Sequence, residues 1–329
     1  MKLLIPTEGS FGYKVMCLVL AGLYAWFLMG LDIDGYIDRA NYLIYAQHSD
    51  EIFVMYAASS LKTILTNEPV WLLFNIWASK HFTPEDTLRV IIFFSSFIIS
   101  FLVLRSYPKY AFFLILFILM PQVLKNNIIH LRQGVGISLF FLGWWCRYLP
   151  LRIFFIALAP LVHASFFFIN ALFLLNIAFS TFSISTVWRV IYTLGVGVVF
   201  GALGIWLADA LGARQGESAE YSGMGAGGSG LAFLFWVVFT VIFFMEGKTY
   251  LRNNFFAASI LVFYLSTYFL LPVTARVFES GMLVVLLASL GLTDWRRYAA
   301  YSLYAFYFCM QWYPVLGLPG FGWAAESTL

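Results

Sequence analysis

The feature that most constrains this fold is a series of long apolar runs joined by short polar connections. A helix needs roughly 20 apolar residues to cross the hydrocarbon core of a bilayer, and most of the runs approach that length. The pattern predicts an all-α, polytopic integral membrane helix bundle with about 10–11 transmembrane helices and short interfacial helices. The runs are Met16 to Leu31, Leu88 to Leu104, Tyr110 to Leu124, His130 to Cys146, Ile153 to Phe179, Val187 to Asp209, Leu231 to Met245, Phe255 to Leu271, Arg276 to Leu292 and Tyr298 to Trp312.

Composition excludes a soluble domain and several classes of partner. With 62% hydrophobic and 11% charged residues, the chain cannot cover a water-facing surface. Its net charge of +3 is spread along the sequence, so no nucleic-acid partner is expected. Cys17, Cys146 and Cys309 each lie in an apolar run, which indicates neither a disulfide framework nor a metal site, and we expect no cofactor.

The sequence predicts one membrane domain, residues 1–329, with two long outer loops. Residues 32–81 form the first, a periplasmic loop in which Glu51 to Leu65 and Val70 to Ser79 are expected to be interfacial helices. Residues 211–230 form the second, a glycine-rich loop typical of a mobile lid or linker.

Lysine and arginine asymmetry orients the helices. With a cytoplasmic N-terminus, and with Ile153 to Phe179 treated as a helical hairpin that breaks near His163, the inner side collects more than half of the basic residues. A single tilted helix over Ile153 to Phe179 would reverse every later segment and violate the positive-inside rule more severely. The inner residues are Lys2, Lys14, Arg105, Lys109, Arg147, Arg152, Arg189, Lys248, Arg252, Arg296 and Arg297.

Three polar interruptions mark a candidate site on the outer side. His130, Arg132 and Gln133 open one apolar run, His163 breaks another, and Arg276 opens a third. In this topology the three helices begin at the outer face, where free backbone N–H groups and a partial positive charge attract anions. We expect Asn127 and Thr274 to cap two of these helices. The sequence therefore predicts an outward-facing site for a multiply charged anion such as a lipid-linked pyrophosphate.

Each interruption also has a structural interpretation. Arg132 alone fits a snorkelling arginine equally well, and Gln133 and Ser165 are more typical of interhelical hydrogen bonding than of catalysis. His163 lies deep in an apolar run and requires a partner or a cavity, which favours a functional role.

Polar and aromatic residues of the first outer loop are candidates for sugar binding. Carboxylates accept hydrogen bonds from hydroxyl groups, and tyrosines offer a donor and a flat apolar face. A solvated loop explains any one of these residues alone. The candidates are Asp34, Tyr36, Asp38 and Tyr42.

The order of these motifs resembles the EpsG-like branch of the Wzy-type polysaccharide polymerases. The resemblance covers most of the chain and includes Asp34-Gly35-Tyr36, Glu68-Pro69 before a short helix, Arg132-Gln133-Gly134 opening a helix, and His163-Ala164-Ser165. Arg276, after the loop with Tyr221 and its glycines, completes the pattern.

The resemblance implies a multi-pass protein of the bacterial inner membrane that joins undecaprenyl-pyrophosphate-linked glycan repeats at the periplasmic face. It implies no metal or cofactor, and a chain-length regulator as a possible partner. His163, Arg132, Arg276 and His130 are the expected catalytic residues, with Gln133, Glu68 and Tyr221 added to the substrate-binding set. His163 is the first choice of base, and Asp34 and Glu68 are the reserves.

Other functions remain open at this level. An O-antigen ligase performs the same chemistry on another acceptor, and a flippase or transporter binds the same lipid without forming bonds. A membrane O-acyltransferase is a weaker alternative.

Overall fold

The computed structural model describes residues 9–210 and 230–325, and the regular elements in these ranges are helices. The chain divides into two compact units: the first contains residues 9–164 with 307–325, and the second contains residues 165–210 with 230–306. An all-helical fold is therefore confirmed for the described residues.

The first unit carries nine α-helices in its described N-terminal part. They are α1 (Phe11–Met29), α2 (Arg39–Ser59), α3 (Leu61–Thr66), α4 (Pro69–Ala78), α5 (Pro84–Ser106), α6 (Ala111–Ile118), α7 (Pro121–Ile128), α8 (Leu131–Trp145) and α9 (Leu149–Val162).

The described helices that follow begin in the second unit. They are α10 (Ser165–Thr181), α11 (Thr186–Ala210), α12 (Gly230–Phe244), α13 (Lys248–Asn253), α14 (Phe255–Thr267), α15 (Thr274–Ser289) and α16 (Asp294–Trp312). The last part of α16 belongs to the first unit.

Three segments of the described chain are long and apolar enough to cross a membrane: Phe11–Met29, Pro84–Ser106 and Thr186–Gly204. A fourth is the bent pair Pro108–Ile118 and Pro121–Ile128, if the pair counts as one span. Other apolar helices are shorter, so the predicted total of about ten or eleven crossings remains a prediction.

The apolar run from Tyr110 to Leu124 does not form one straight helix, because the chain bends by 64° between α6 and α7. Met120 has extended backbone angles, and Pro121 begins α7. A residue before proline is disfavoured in the helical region, which explains the break at this position.

Helices α1 and α5 form an antiparallel pair in the first unit. Near one end, the Tyr13 hydroxyl donates to the Leu104 carbonyl at 2.6 Å. Near the other end, Arg89 Nη1 donates to the Met29 carbonyl at 3.1 Å. Side-chain bonds to backbone carbonyls thus hold both ends of the pair in register.

Glycines allow α8 to pack closely against its neighbours. A Cβ at Gly134 would lie 2.3 Å from the Asn126 carbonyl oxygen of α7. A Cβ at Gly143 would lie 3.0 Å from the Arg152 carbonyl oxygen of α9. Larger residues at either position would push the backbones apart, so these glycines allow α8 to lie close to both α7 and α9.

Candidate functional site

Three side chains far apart in sequence meet in the first unit, and we call them the Glu68 cluster: Glu68, Arg132 and His163. Arg132 Nη1 donates to Glu68 Oε2, and His163 Nδ1 lies 3.0 Å from Glu68 Oε1. The Ala164 backbone N–H also donates to Glu68 Oε1, at 3.4 Å. The Glu68 side chain is only 4% exposed, so the carboxylate is buried with its partners.

The backbone at Glu68 turns its carboxylate away from the helix that follows. Glu68 stands immediately before α4 with φ 59° and ψ 54°, a left-handed conformation that is unfavourable for a residue with a Cβ. Its side chain does not cap α4. This conformation costs about 1–3 kcal/mol, which the ionic and hydrogen-bond contacts of the carboxylate offset.

Arg132 lies in the first turn of α8 between aromatic rings. Its guanidinium carbon is 5.8 Å from the centre of the Tyr42 ring and 5.3 Å from that of Tyr45. Both rings pack edge-on against Trp71 of α4, with centroid distances of 5.7 and 6.4 Å. Cation–π contacts add to the ion pair and hold the guanidinium in place.

His163 occupies the break between α9 and α10, as the sequence predicted. Its φ of −151° and ψ of 123° are extended, α9 ends at Val162 and α10 begins at Ser165. An ionised carboxylate only accepts hydrogen bonds, so a neutral His163 ring must carry its proton on Nδ1. The lone pair of the imidazole is then on Nε2, the nitrogen suited to accept a proton.

Glu68 remains ionised in this setting. Burial by itself would raise the pKa of the carboxyl group, but the Arg132 charge, the His163 ring and the Ala164 N–H together hold the pKa of Glu68 well below its usual range. A carboxylate with a lowered pKa is a weak proton acceptor. Glu68 is therefore better suited to orienting His163 than to acting as the base.

Arg39 is a buried residue that the sequence analysis did not select. Its side chain is fully buried; Nη1 donates to the Asp32 carbonyl at 2.7 Å, and Nε donates to the Ile128 carbonyl at 3.0 Å. Its guanidinium carbon lies 4.6 Å from the centre of the Tyr36 ring. Burial lowers the pKa of Arg39 to about 10, so it is still charged at neutral pH. It joins the first loop to the end of α7.

The predicted sugar-binding residues are not alike in their exposure. Asp34 is exposed, whereas Tyr36 and Tyr42 are buried against Arg39 and Arg132. Asp38 is exposed and has a left-handed φ of 66° just before α2.

His130 lies near Asp38, with His130 Nε2 4.0 Å from Asp38 Oδ2. His130 directly precedes α8 and is half-buried. Gln133, in the first turn of the same helix, is buried. Ser165 makes the predicted hydrogen bond between helices, with its hydroxyl oxygen 2.7 Å from that of Ser280.

The remaining predicted residues lie elsewhere in the chain. Arg276 is exposed in the first turn of α15, in the second unit. Tyr221, and residues 211–229 of the predicted glycine-rich loop, lie outside the described residues.

The expected helix caps are wrong. Asn127 is inside α7, and His130 is the residue that precedes α8. Thr274 is the first residue of α15, and its hydroxyl donates to the Thr267 carbonyl at 3.0 Å. Neither side chain caps the helix it was assigned to.

Within the described residues, no three His, Cys, Asp or Glu side chains group as metal ligands. No protein-family profile matches the sequence, and no curated protein or solved structure is significantly similar to it. The functional assignment therefore depends on the chemistry of the Glu68 cluster.

Proposed function

We propose that this chain is a multi-pass glycosyltransferase of the bacterial inner membrane, similar to Wzy-type polysaccharide polymerases. In this proposal it joins undecaprenyl-pyrophosphate-linked glycan repeats at the periplasmic face. The observation that carries the proposal is the Glu68 cluster, where a buried carboxylate holds an imidazole and an arginine together.

The chemistry requires one base and stabilisation of a leaving group. His163 Nε2 takes the proton of an acceptor hydroxyl while that oxygen attacks the anomeric carbon of the donor glycan. The bond between the anomeric carbon and the pyrophosphate oxygen breaks, and its electron pair leaves with undecaprenyl pyrophosphate. This in-line displacement inverts the anomeric centre.

Glu68 and Arg132 support the two halves of this reaction. Glu68 fixes the His163 ring, as a carboxylate does for the histidine of a hydrolase triad. Arg132, at the start of α8, adds its charge to the partial positive charge of the helix N-terminus and stabilises the departing diphosphate. In the proposal, His130 contributes a further hydrogen-bonding group to the substrate.

The apolar helices support a membrane location. We propose that the N-terminus is cytoplasmic and that the Glu68 cluster faces the periplasm, because the basic residues Lys14, Arg105, Arg147 and Arg152 lie at predicted inner ends. Residues 32–81 are then an outer loop with interfacial helices, and residues 211–230 are a second outer loop.

A transporter of the same lipid is the second candidate. Buried ionisable residues in membrane proteins also serve as proton relays, and Glu68 with His163 has that composition. A transporter would move the lipid-linked repeat without changing its length.

Incubation of the purified protein with its lipid-linked repeat unit tests the proposal. A polymerase converts the repeat into a ladder of longer glycans. A single unextended species, together with movement of the repeat across a vesicle membrane, would favour the transporter. Transfer of the glycan to a lipid A core, without a ladder, would favour the ligase.

A further inference from the structure

The two oxygens of Glu68 serve different partners. Oε2 accepts from Arg132, while Oε1 accepts from Ala164 N–H and contacts His163 Nδ1. Because the partners are divided in this way, Glu68 can lose Arg132 and still keep its contacts with His163 and Ala164.

Arg132 has donor capacity that the protein does not use. A guanidinium carries five N–H donors; Nη1 is bonded to Glu68, and the guanidinium also hydrogen-bonds to the Tyr42 side chain. Nε is buried and has no hydrogen-bond partner among the described residues. The rings of Tyr42 and Tyr45 hold the guanidinium while this N–H remains unused.

A diphosphate matches these unused donors better than a carboxylate does. It carries more negative charge than one carboxylate, and its tetrahedral oxygens accept paired hydrogen bonds from a guanidinium. The start of α8, where the helix dipole places a partial positive charge, lies beside Arg132 and favours the same anion.

We infer that Glu68 and the diphosphate of the lipid-linked donor compete for the same place on Arg132. This inference rests on the proposed function. The diphosphate displaces Glu68 Oε2 from Arg132, and Glu68 stays attached through Oε1 to His163 and Ala164.

The exchange couples donor binding to activation of the base. Once the diphosphate engages Arg132, the guanidinium no longer pairs with Glu68, and His163 is the basic side chain that remains in contact with the carboxylate. The carboxylate then stabilises a protonated His163 ring more strongly, so the ring accepts the proton of the acceptor hydroxyl more readily. The base therefore becomes effective only when a donor is in place.

Binding of farnesyl diphosphate, a short prenyl diphosphate, to the purified full-length protein tests the exchange. Glu68→Gln removes the competing charge, so it should tighten binding by about tenfold, within the usual range of coupling between two ligands of one site. Arg132→Ala should weaken binding by a similar factor. Equal or weaker binding by folded Glu68→Gln would overturn the inference.

The chain offers a matched control in Glu246. Its side chain is 7% exposed and pairs with Arg296, whose Nε lies 2.7 Å from Glu246 Oε2. Glu246→Gln breaks a comparable ion pair in the second unit and should leave farnesyl diphosphate affinity unchanged. Tightening by this variant equal to that of Glu68→Gln would contradict a local exchange.

Inorganic pyrophosphate tests the contribution of the anion without that of the prenyl group. It should bind more weakly than farnesyl diphosphate, but the same Glu68→Gln tightening should appear. If Glu68→Gln tightens the binding of farnesyl diphosphate but not that of pyrophosphate, the effect is due to the prenyl group, and the exchange is contradicted.

A measurement on the wild type keeps the test valid if Glu68→Gln does not fold. In protein labelled with ¹³C-glutamate, infrared difference spectra should show a shifted carboxylate band when farnesyl diphosphate binds. Glu246→Gln should show the same shift, because its carboxylate is not involved. If saturating farnesyl diphosphate leaves the glutamate carboxylate bands unchanged, the inference is overturned.

These measurements are independent of polymerisation. Tighter binding by Glu68→Gln without any glycan ladder from the wild type would support the exchange and contradict the polymerase. A wild-type ladder with unchanged diphosphate affinity in Glu68→Gln would support the polymerase and contradict the exchange.

Discussion

His163 Nδ1 lies 3.0 Å from Glu68 Oε1, although the two residues are 95 positions apart in the sequence. The contact joins a helix break to the residue before α4. It also fixes which nitrogen of His163 is able to accept a proton. A buried carboxylate and an imidazole in this arrangement form the orienting pair common in hydrolytic and transfer enzymes.

Arg39 should be important for stability. Arg39→Lys leaves a single ammonium that cannot reach both the Asp32 and Ile128 carbonyls, so we expect a loss of about 2 kcal/mol, typical of a hydrogen bond to a charged group. Thermal unfolding of the two proteins in detergent measures this loss of stability. Arg89→Lys, which loses one partly buried bond to Met29, is the control and should cost less. Equal losses in the two variants would contradict the assigned role.

The left-handed backbone at Asp38 should affect stability whatever the function of the protein. Asp38→Gly and Asp38→Ala both remove the carboxylate near His130, so any difference between them reports on the backbone alone. We expect the glycine variant to be more stable than the alanine variant by about 1 kcal/mol, because only glycine adopts positive φ without cost. Equal melting temperatures would show that φ at this position is not positive.

The stability of the protein should depend on pH through Glu68. Its folded pKa is lowered, so its contribution is complete above the unfolded value of about 4.3 and is lost as pH falls through the folded value. The difference in melting temperature between wild type and Glu68→Gln should therefore be constant from neutral pH to about pH 5 and shrink in stronger acid. A difference that stays constant or grows down to pH 3 would contradict the ionised, buried carboxylate.

The proposed orientation can be tested by thiol labelling. After replacement of Cys17, Cys146 and Cys309 by serine, a cysteine at Ser218 should react with an impermeant reagent added from the periplasm. A cysteine at Arg147, which is exposed between α8 and α9, should react only after the membrane is opened. The reverse pattern would contradict a periplasmic site.

Part of the site could be predicted from local sequence. The run from Ile153 to Phe179 is too long for one short helix and contains a polar His163, so the break was predictable. Arg132 and Glu68 were also selected, because each is a charged residue at the edge of an apolar stretch. The bend before Pro121 was missed because hydrophobicity continues through it, although the proline was visible.

The contacts themselves could not be predicted. Local patterns do not show that Glu68 pairs with Arg132, 64 positions away, or that its backbone is left-handed. Arg39 follows Asp38 in a polar interval, which by itself predicts a solvated side chain, yet tertiary packing buries Arg39 completely. Burial and pairing of such residues depend on which helices meet, and that is decided by the whole chain.

In the proposed reaction, His163 takes the proton of the acceptor hydroxyl during glycosyl transfer. Elongation of the lipid-linked repeat by purified wild type and His163→Gln tests this role, with protein level and repeat binding measured in parallel. We expect a glycan ladder from the wild type and only the unextended repeat from His163→Gln, at equal abundance and equal repeat binding. A full ladder from His163→Gln would contradict it.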